Sequence, residues 1–389
     1  MRVYWLRNFS RRAFGRFADD KLVLTCRRDH DVWYVAKNGE KSEGAKTVLS
    51  MKGEGAFEMS LKTWTQIITL ILIMALFAMV DISAEKEILF PEIAALALGF
   101  WIMEKPPWRG SRLAVWLSPT LAALTGVVLL RYVPLPTIGL VGSAFVIVVL
   151  QLKLLRSEVF PSISAAILAI ITHATSWLYP LSVGILMAII VLGKIFLDKF
   201  DEKRALTGYS DTIDDSEKGN GLLLELFYWI KVLSGVLLIS AVALRYNFLF
   251  MIAPPLIVAF VELSRPEQPL RRTPAKGVLL LFLAACSGVL WFYLITDVLH
   301  GPLWLFSGLA LGTVLCLYRF LKASFPPVAA IALLPVLVPD LHFWKYPLHV
   351  LTGSALFILM GLVFFREVEQ KPAVLAERGG PKAPGPITG

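Results

Sequence analysis

Four proline-led segments are the parts of this chain whose residue types could bind a solute. They are Phe90-Pro91, Phe160-Pro161, Pro254-Pro255 and Pro326-Pro327, and each opens an apolar stretch. Proline fits the first turn of a helix, because its missing N–H would have no partner there. The remaining free N–H groups and the positive end of the helix dipole favour an anion. The pattern predicts four inward-facing helix starts that bind a small anion, although prolines also begin membrane helices with no ligand nearby.

Polar side chains near these prolines complete the candidate site. Glu92 could hold a proton or a cation, or only complement the start of its helix. Ser162 and Ser164 follow Pro161, and His173 could titrate near neutral pH or be an interfacial histidine. The candidate substrate-binding residues are Pro91, Glu92, Pro161, Ser162, Ser164, His173, Pro254, Pro255, Pro326 and Pro327.

Catalytic and cofactor motifs are missing from the sequence. It contains no phosphate-binding glycine loop, no HExxH, no paired-cysteine metal spacing and no nucleophile elbow. We therefore expect no enzymatic activity, no cofactor and no metal, so that any function rests on binding or transport.

Apolar composition indicates the elements that must position these residues. Apolar residues make up 57% of the chain and the mean hydropathy is +0.68. They fall in blocks of about 17–22 residues, long enough for a helix to cross a hydrocarbon core ~30 Å thick. Since a backbone in lipid must satisfy its own hydrogen bonds, we predict an all-α polytopic membrane bundle with the lipid bilayer as partner.

Twelve membrane spans are predicted from these blocks. They cover residues 65–83, 88–103, 113–131, 136–153, 159–175, 179–197, 224–244, 247–263, 277–296, 302–320, 325–341 and 346–365. Lysine and arginine concentrate in alternate loops, which places both termini in the cytoplasm of a bacterial plasma (inner) membrane. The net charge of +9 is attributed to these loops and not to nucleic-acid binding.

The apolar part of the chain contains an internal repeat. Leu121–Val127 recurs as Leu283–Val289, and Tyr179-Pro180-Leu181 recurs as Tyr346-Pro347-Leu348. Two copies of one apolar unit are typical of transporters. We expect two tandem six-helix repeats, and a shorter similarity between the second and fifth spans suggests a 3+3 inverted repeat in each.

Five domains follow from these boundaries. They are a basic cytoplasmic segment (1–60), the first six-helix repeat (61–200), a cytoplasmic linker (201–221), the second repeat (222–366) and a disordered tail (367–389). The purine-rich codons required by Gly53-Glu54-Gly55 resemble a ribosome-binding site and suggest a true start at Met59. The alternative is a small basic domain that holds anionic lipids or a partner.

Residues near the span ends are expected at the membrane surface. Glu225 and Glu262 fall at the predicted cytoplasmic edge and need no function. Six tryptophans near span ends predict an aromatic belt. They are Trp64, Trp101, Trp108, Trp177, Trp229 and Trp344.

The stretch from Phe325-Pro326-Pro327 to Leu334 resembles the HPP family of integral membrane proteins, named for its His-Pro-Pro motif. Phe325 stands where the family has histidine, and Phe160-Pro161-Ser162 lacks both the histidine and the second proline. Gln268–Arg271 is similar to the loop in which proline and arginine precede a glycine-containing helix. The resemblance implies a duplicated HPP-like protein. Since some members are linked to nitrite transport in plastids and cyanobacteria, it also implies a small inorganic anion as substrate.

The favoured hypothesis is a secondary transporter or permease for a small inorganic anion such as nitrite. One alternative is a permease that resembles aromatic-acid or drug exporters. The other is a membrane scaffold or sensor that moves no solute. A homo-oligomer is compatible with each hypothesis, and none requires a nucleic-acid partner.

Overall fold

The computed structural model describes residues 24–29, 32–37, 61–83, 85–103, 106–199, 221–265, 268–338 and 343–365. The suggested start at Met59, nearly all of the 201–221 linker and the 367–389 tail lie outside these residues. The chain divides into two units, Met1–Met59 and Ser60–Gly389, which are described separately.

The first unit contains a β-hairpin, which the all-α expectation for the chain did not include. Strand β1 (Leu24–Asp29) pairs antiparallel with β2 (Val32–Lys37), with Cys26 opposite Val35. The second strand, Val-Trp-Tyr-Val-Ala-Lys, is rich in the β-branched and aromatic residues that favour strands. The all-helical prediction therefore holds for the membrane unit alone.

Eight helices in the described part of the membrane unit are long and apolar enough to cross a bilayer. Helix α9 continues as a π-helical turn through Tyr293–Val298. The eight helices are α1 (Leu61–Ser83), α3 (Arg112–Tyr132), α4 (Thr137–Leu154), α6 (Leu178–Asp198), α7 (Gly221–Arg245), α9 (Pro274–Phe292), α10 (Leu303–Leu321) and α12 (Tyr346–Phe364).

Four shorter helices lie between the long ones. They are α2 (Glu92–Ala97, extended by a π turn over Leu98–Ile102), α5 (Pro161–Ile171), α8 (Pro254–Leu263) and α11 (Pro327–Leu333, extended by a 3₁₀ turn over Leu334–Leu337). The 11 residues of α5 rise about 16 Å, roughly half of a ~30 Å hydrocarbon core. Every residue of α5, α8 and α11 is buried.

The twelve predicted spans thus correspond to eight long and four short helices, and not to twelve full-length crossings. The predicted spans at 88–103 and 247–263 included apolar residues that precede the helix. A 3₁₀ turn at Leu249–Ile252 lies within the second of these stretches, and another at Lys86–Ile88 ends where the first begins. Hydropathy does not distinguish an apolar lead-in from a helix, so these four segments looked longer than they are.

The bundle has two distinguishable ends, because successive long helices joined by short loops must run antiparallel. We call the end where α6 finishes and α7 begins the linker end, and the opposite one the far end. At the linker end Lys153 pairs with Glu225 at 3.3 Å. At the far end the amide of Ser176 donates to the Glu87 carboxylate at 2.8 Å. All connections between α2 and α3, α4 and α5, α8 and α9, and α10 and α11 lie at the linker end.

Helices in matching positions of the two halves exchange neighbours across the bundle. Helix α1 packs on α10, and its counterpart α7 packs on α4. Likewise α2 packs on α11, and its counterpart α8 packs on α5. The short helices also touch within the centre, α8 on α11 and α2 on α5. The proline-led helices therefore meet one another inside a ring of long helices.

Equivalent side chains make equivalent contacts in the two halves. The hydroxyl of Tyr179 on α6 donates to the carbonyl of Ala165 on α5 at 2.7 Å. The hydroxyl of Tyr346 on α12 donates to the carbonyl of Ile331 on α11 at 2.8 Å. Both tyrosines are buried, and each anchors a long helix to the middle of a short one.

Two glycines allow a long helix to contact a short helix closely. Gly126 lies where α3 meets α5, and Gly288 lies where α9 meets α11. A Cβ on Gly126 would collide with the carbonyl oxygen of Ala166, and one on Gly288 with that of Ala332. These glycines lie in the repeated segments Leu121–Val127 and Leu283–Val289. Small residues at such crossings are how membrane helices approach closely.

Candidate functional site

Proline residues begin the central helices, as the sequence predicted, and all six are buried. Pro161 is the first residue of α5, and Pro254 is the first of α8. Pro91 precedes Glu92, the first residue of α2, and Pro327 begins α11. Since proline offers no N–H and no polar side chain, these residues set where the helices start and leave the chemistry to their neighbours.

Glu92 is the polar centre of the bundle. Its side chain is 1% exposed, and its Oε1 accepts a hydrogen bond from the hydroxyl of Ser164 on α5. Its Oε2 is buried and has no hydrogen-bond partner. The hydroxyl of Ser162, fully buried two residues before Ser164, also has no hydrogen-bond partner. Buried polar atoms without partners cost free energy and mark positions where a ligand or water could bind.

Two tyrosines lie near this centre, one from each half of the chain. Both Tyr179 and Tyr346 interact electrostatically with Glu92. Phe90 packs edge-on against Tyr179 at 6.5 Å, and Phe250 packs in the same way against Tyr346 at 5.7 Å. The central carboxyl therefore lies among groups supplied by both halves of the chain.

Backbone amides at the helix starts are less available than the sequence suggested. The amides of Ser162 and Ile163 donate to carbonyls three residues earlier, at 3.1 and 2.9 Å. The amides of Val328 and Ala329 do the same at the start of α11, at 3.0 and 3.1 Å. A tight turn thus uses N–H groups that we had expected to face an anion, and the unpartnered side chains of Glu92 and Ser162 are the stronger candidates.

A cavity of about 390 Å³ opens at the far end. It reaches Leu89, three residues before Glu92, and the buried ring of Tyr179. Its lining residues are Lys86, Glu87, Leu89, Thr172, Ala174, Tyr179, Val336, Leu337 and Val338.

A second cavity, of about 590 Å³, opens at the linker end. Arg265 from the second half crosses to the first half there, pairing with Glu158 at 3.2 Å and covering the ring of Phe160 at 4.3 Å. Four basic and two acidic side chains line this cavity, so its wall is positive. They are Arg109, Arg265, Lys276 and Lys322, with Glu158 and Glu262.

The polar centre lies between the two cavities and lines neither. The far-end cavity stops at Leu89 and Tyr179, and the linker-end cavity stops at Phe160, two residues before Ser162. Glu92 and Ser162 are thus enclosed by side chains from both directions.

The sequence analysis did not predict that Glu262 is buried and hydrogen-bonded. Glu262 is 4% exposed, its Oε1 accepts from the indole N–H of Trp108 at 3.0 Å, and its Oε2 has no partner. It lies near the end of α8, where a glutamate is typical of a surface position, and no local pattern indicates its distant partner. Glu225, by contrast, is exposed as expected.

The predicted aromatic belt is wrong for two of its tryptophans. Trp108 is fully buried, and Trp101 is 2% exposed with its indole N–H donating to the carbonyl of Ile190 at 3.0 Å. Trp177 and Trp344 are exposed at the far end, as an interfacial residue would be. Nearness to a span end does not reveal whether a tryptophan faces lipid or a neighbouring helix.

His173 does not join the polar centre. It is exposed at the far end, directly after α5, with a positive φ of 54°. Its neighbour Thr172 lines the far-end cavity. Of the candidate polar side chains, the structure brings Glu92 and Ser164 into contact and leaves His173 at the surface. Ser162 is buried two residues before Ser164.

Comparison with known proteins identifies part of the chain. Residues 220–372 match the family model described as HPP, transmembrane region. No curated protein and no solved structure matches the chain. The matched residues include α7 to α12, and therefore both Tyr346 and the Phe325-Pro326-Pro327 segment.

Proposed function

We propose that the whole membrane unit, whose residues 220–372 match the model of the HPP transmembrane family, is a permease for a small inorganic anion such as nitrite. The observation that carries the proposal is the buried polar centre at Glu92, Ser162 and Ser164, enclosed between two cavities that open at opposite ends. A bundle that only held a scaffold together would gain stability from apolar residues at these positions.

We propose further that the two halves are six-helix repeats related by an axis along the membrane normal. Reciprocal packing of α1 on α10 and α7 on α4 supports this arrangement, as do the matched hydrogen bonds of Tyr179 and Tyr346. A path along that axis would pass between α2, α5, α8 and α11. Rocking of the halves would open the polar centre to one cavity at a time.

An anion is favoured as the substrate by the charge of the linker-end cavity. Its excess of arginine and lysine would raise the local concentration of anions at the mouth of the path. Deeper in, the unpartnered hydroxyl of Ser162 could donate to a small oxyanion, near the positive end of the α5 dipole. These features support a small anion without identifying it.

Orientation is proposed from the charges at the two ends. Far-end connections hold Lys86, Arg131, Arg245 and Lys345, whereas the linker-end connections hold many more basic residues. The positive-inside rule then places the linker end in the cytoplasm. From the same distribution of charge we propose a bacterial inner membrane, and we propose transport without enzymatic chemistry.

A second candidate is a permease for an aromatic acid. The linker-end cavity, at about 590 Å³, falls in the range of 300–1,000 Å³ typical of sites for drug-sized ligands. Its positive wall would attract an organic carboxylate as well as an inorganic anion.

Uptake by proteoliposomes tests the proposal. The reconstituted chain should accumulate nitrite, nitrate, formate or chloride faster than protein-free liposomes do. Ser162→Ala should slow that uptake about tenfold, because losing one hydrogen bond to a charged ligand costs roughly 1.5–3 kcal/mol. Ser234→Ala is the matched control, since Ser234 lies exposed on the outside of α7 and should not affect uptake.

Each other outcome has a definite consequence. If none of these anions enters and benzoate does, the aromatic-acid candidate replaces the small-anion proposal. If none enters and benzoate does not either, the permease proposal is wrong.

A further inference from the structure

Glu92 places a carboxyl group where a transported anion would have to pass. We infer that this carboxyl binds a proton that crosses the membrane together with the anion, so that the protein is a proton–anion symporter. The inference rests on the proposed function and adds the coupling ion to it. It follows from the position of Glu92 and from the groups that surround it.

The carboxyl group has one occupied and one open oxygen. Ser164 donates to Oε1, which fixes the orientation of the group across the contact between α2 and α5. Oε2 is buried, accepts no hydrogen bond, and is therefore the atom available to a proton. Ser162, with its own unpartnered hydroxyl, lies two residues before Ser164 on the same short helix. The anion donor and the proton site therefore lie on two helices that pack on each other, α5 and α2.

The groups that face Glu92 are tyrosines and not cations. Tyr179 of α6 and Tyr346 of α12 interact with it electrostatically, and their hydroxyls already donate to backbone carbonyls at 2.7 and 2.8 Å. Helices α5 and α11, which pack on α2, carry no ionisable side chain. In this part of the structure, no lysine or arginine on the packed helices is placed to neutralise the carboxylate.

Other ionisable groups on the neighbouring helices lie near helix ends or make contacts of their own. On α1, Lys62 lies in the first turn and Asp81 in the last, where its carboxylate accepts an amide at 2.8 Å. On α6, Lys194 pairs with Asp198 near the linker end. On α12, the ring of His349 packs against an aromatic ring at 4.6 Å.

Charge balance explains why the proton and the anion would move together. A negatively charged Glu92 on α2 would repel an anion bound at Ser162 on the adjoining α5, since like charges interact strongly in a protein interior of low dielectric constant. Once Oε2 has taken a proton from water in one cavity, the centre is neutral and the anion can bind. Opening to the other cavity releases the anion and returns the proton to water there. One proton and one monovalent anion cross, and no net charge moves.

Proteoliposomes with a trapped pH dye provide the test. With nitrite outside, the wild type should carry about one proton per nitrite. External acid should raise the rate of uptake into wild-type vesicles to about ten times the rate in protein-free liposomes at the same pH. Glu92→Gln should lose both the acid stimulation of nitrite uptake and the internal acidification. Glu225→Gln is the matched control, because Glu225 is half-exposed and paired with Lys153 at the linker end, and it should behave as the wild type does.

The possible failures are separable. Nitrite entry into wild-type vesicles without proton entry overturns the symport inference and leaves the proposed permease standing. Proton-coupled uptake by Glu92→Gln overturns the assignment to Glu92. A wild type that moves no nitrite overturns the inference together with the nitrite proposal. The wild-type flux ratio decides for or against symport even if Glu92→Gln does not reconstitute, and Glu92→Asp, which keeps the carboxyl, should remain coupled.

Discussion

Glu92 and Glu262 both bury a carboxyl group with one unpartnered oxygen, but their positions differ. Glu92 lies in the closed centre and receives a hydrogen bond from a serine on a neighbouring short helix. Glu262 borders the linker-end cavity and receives one from Trp108, a residue of the other half. We therefore assign a coupling role to Glu92 and a structural role to the pair formed by Glu262 and Trp108.

Trp108→Phe should destabilise the protein more than its small loss of volume would suggest. The change removes the donor to Glu262 Oε1 and leaves a buried carboxyl with no protein donor, at a cost of about 1–3 kcal/mol. Thermal unfolding in detergent measures the effect. Trp229→Phe is the control, because the indole N–H of Trp229 makes only a long, exposed contact of 3.4 Å. Equal losses for the two variants would contradict a structural role for the buried pair.

Some residues of the candidate site could be predicted from the sequence, and others could not. Glu92 and Ser164 could be selected because polar residues within three positions of a proline in an apolar segment are unusual. Tyr179 was singled out only because it lies in the repeated Tyr-Pro-Leu segment. The hydrogen bond from its hydroxyl to α5 depends on tertiary packing, so the sequence did not predict it. Glu262 could not be selected, since its partner lies far away along the chain and no spacing rule connects them.

Close contacts between long and short helices hold the central elements in place. Gly126 on α3 and Gly288 on α9 lie against the backbones of α5 and α11, and the same repeated segment supplies both. Such contacts let the proline-led helices remain at the centre although their short length gives them little surface to bury.

Gly126→Ala and Gly288→Ala should each destabilise the bundle by about 1–3 kcal/mol, the usual cost of overpacking a close contact. The added methyl group would meet a backbone carbonyl that cannot rotate away. Gly312→Ala on α10 is the matched control, because nothing lies within 4 Å of a Cβ there. Melting temperatures in detergent should fall for the first two variants and stay near the wild-type value for the third. If Gly312→Ala lowers the melting temperature as much, glycine contacts are not what positions α5 and α11.

Long helices were predicted within a few residues of their bounds, whereas the short ones were not. An unbroken apolar run fixes where α3, α4 or α12 begins and ends, because charged or proline residues flank it. The segment 88–103 contains a proline, a short α-helix and a π turn, most of them apolar. Its hydropathy is that of one continuous helix, so only the structure shows where the α-helix begins and ends.

At the scale of the membrane unit, the closed polar centre lies between a cavity at the far end and a cavity at the linker end. The far-end cavity and the linker-end cavity are lined by opposite sets of connecting segments, so they open at opposite ends. The two similar Tyr-Pro-Leu segments singled out Tyr179 and Tyr346, whose hydroxyls make similar hydrogen bonds to short helices. These segments did not predict the cavities, which depend on how the short helices leave space above and below themselves.

Alternating access to the polar centre is tested most directly by asking whether solvent reaches Ser162 from both faces of the membrane. Ser162→Cys would be made in a chain whose native cysteines at 26, 286 and 316 are changed to serine. A small charged methanethiosulfonate reagent would then be applied to each face in turn. His173→Cys and Arg156→Cys serve as exposed controls for the far end and the linker end.

A carrier of this design predicts that position 162 reacts from either face, more slowly than the controls, and that nitrite protects it. Alternating exposure of a closed polar centre requires all three results. If the reagent never reaches position 162 while both controls react fully, the centre is static packing and the proposed path does not exist.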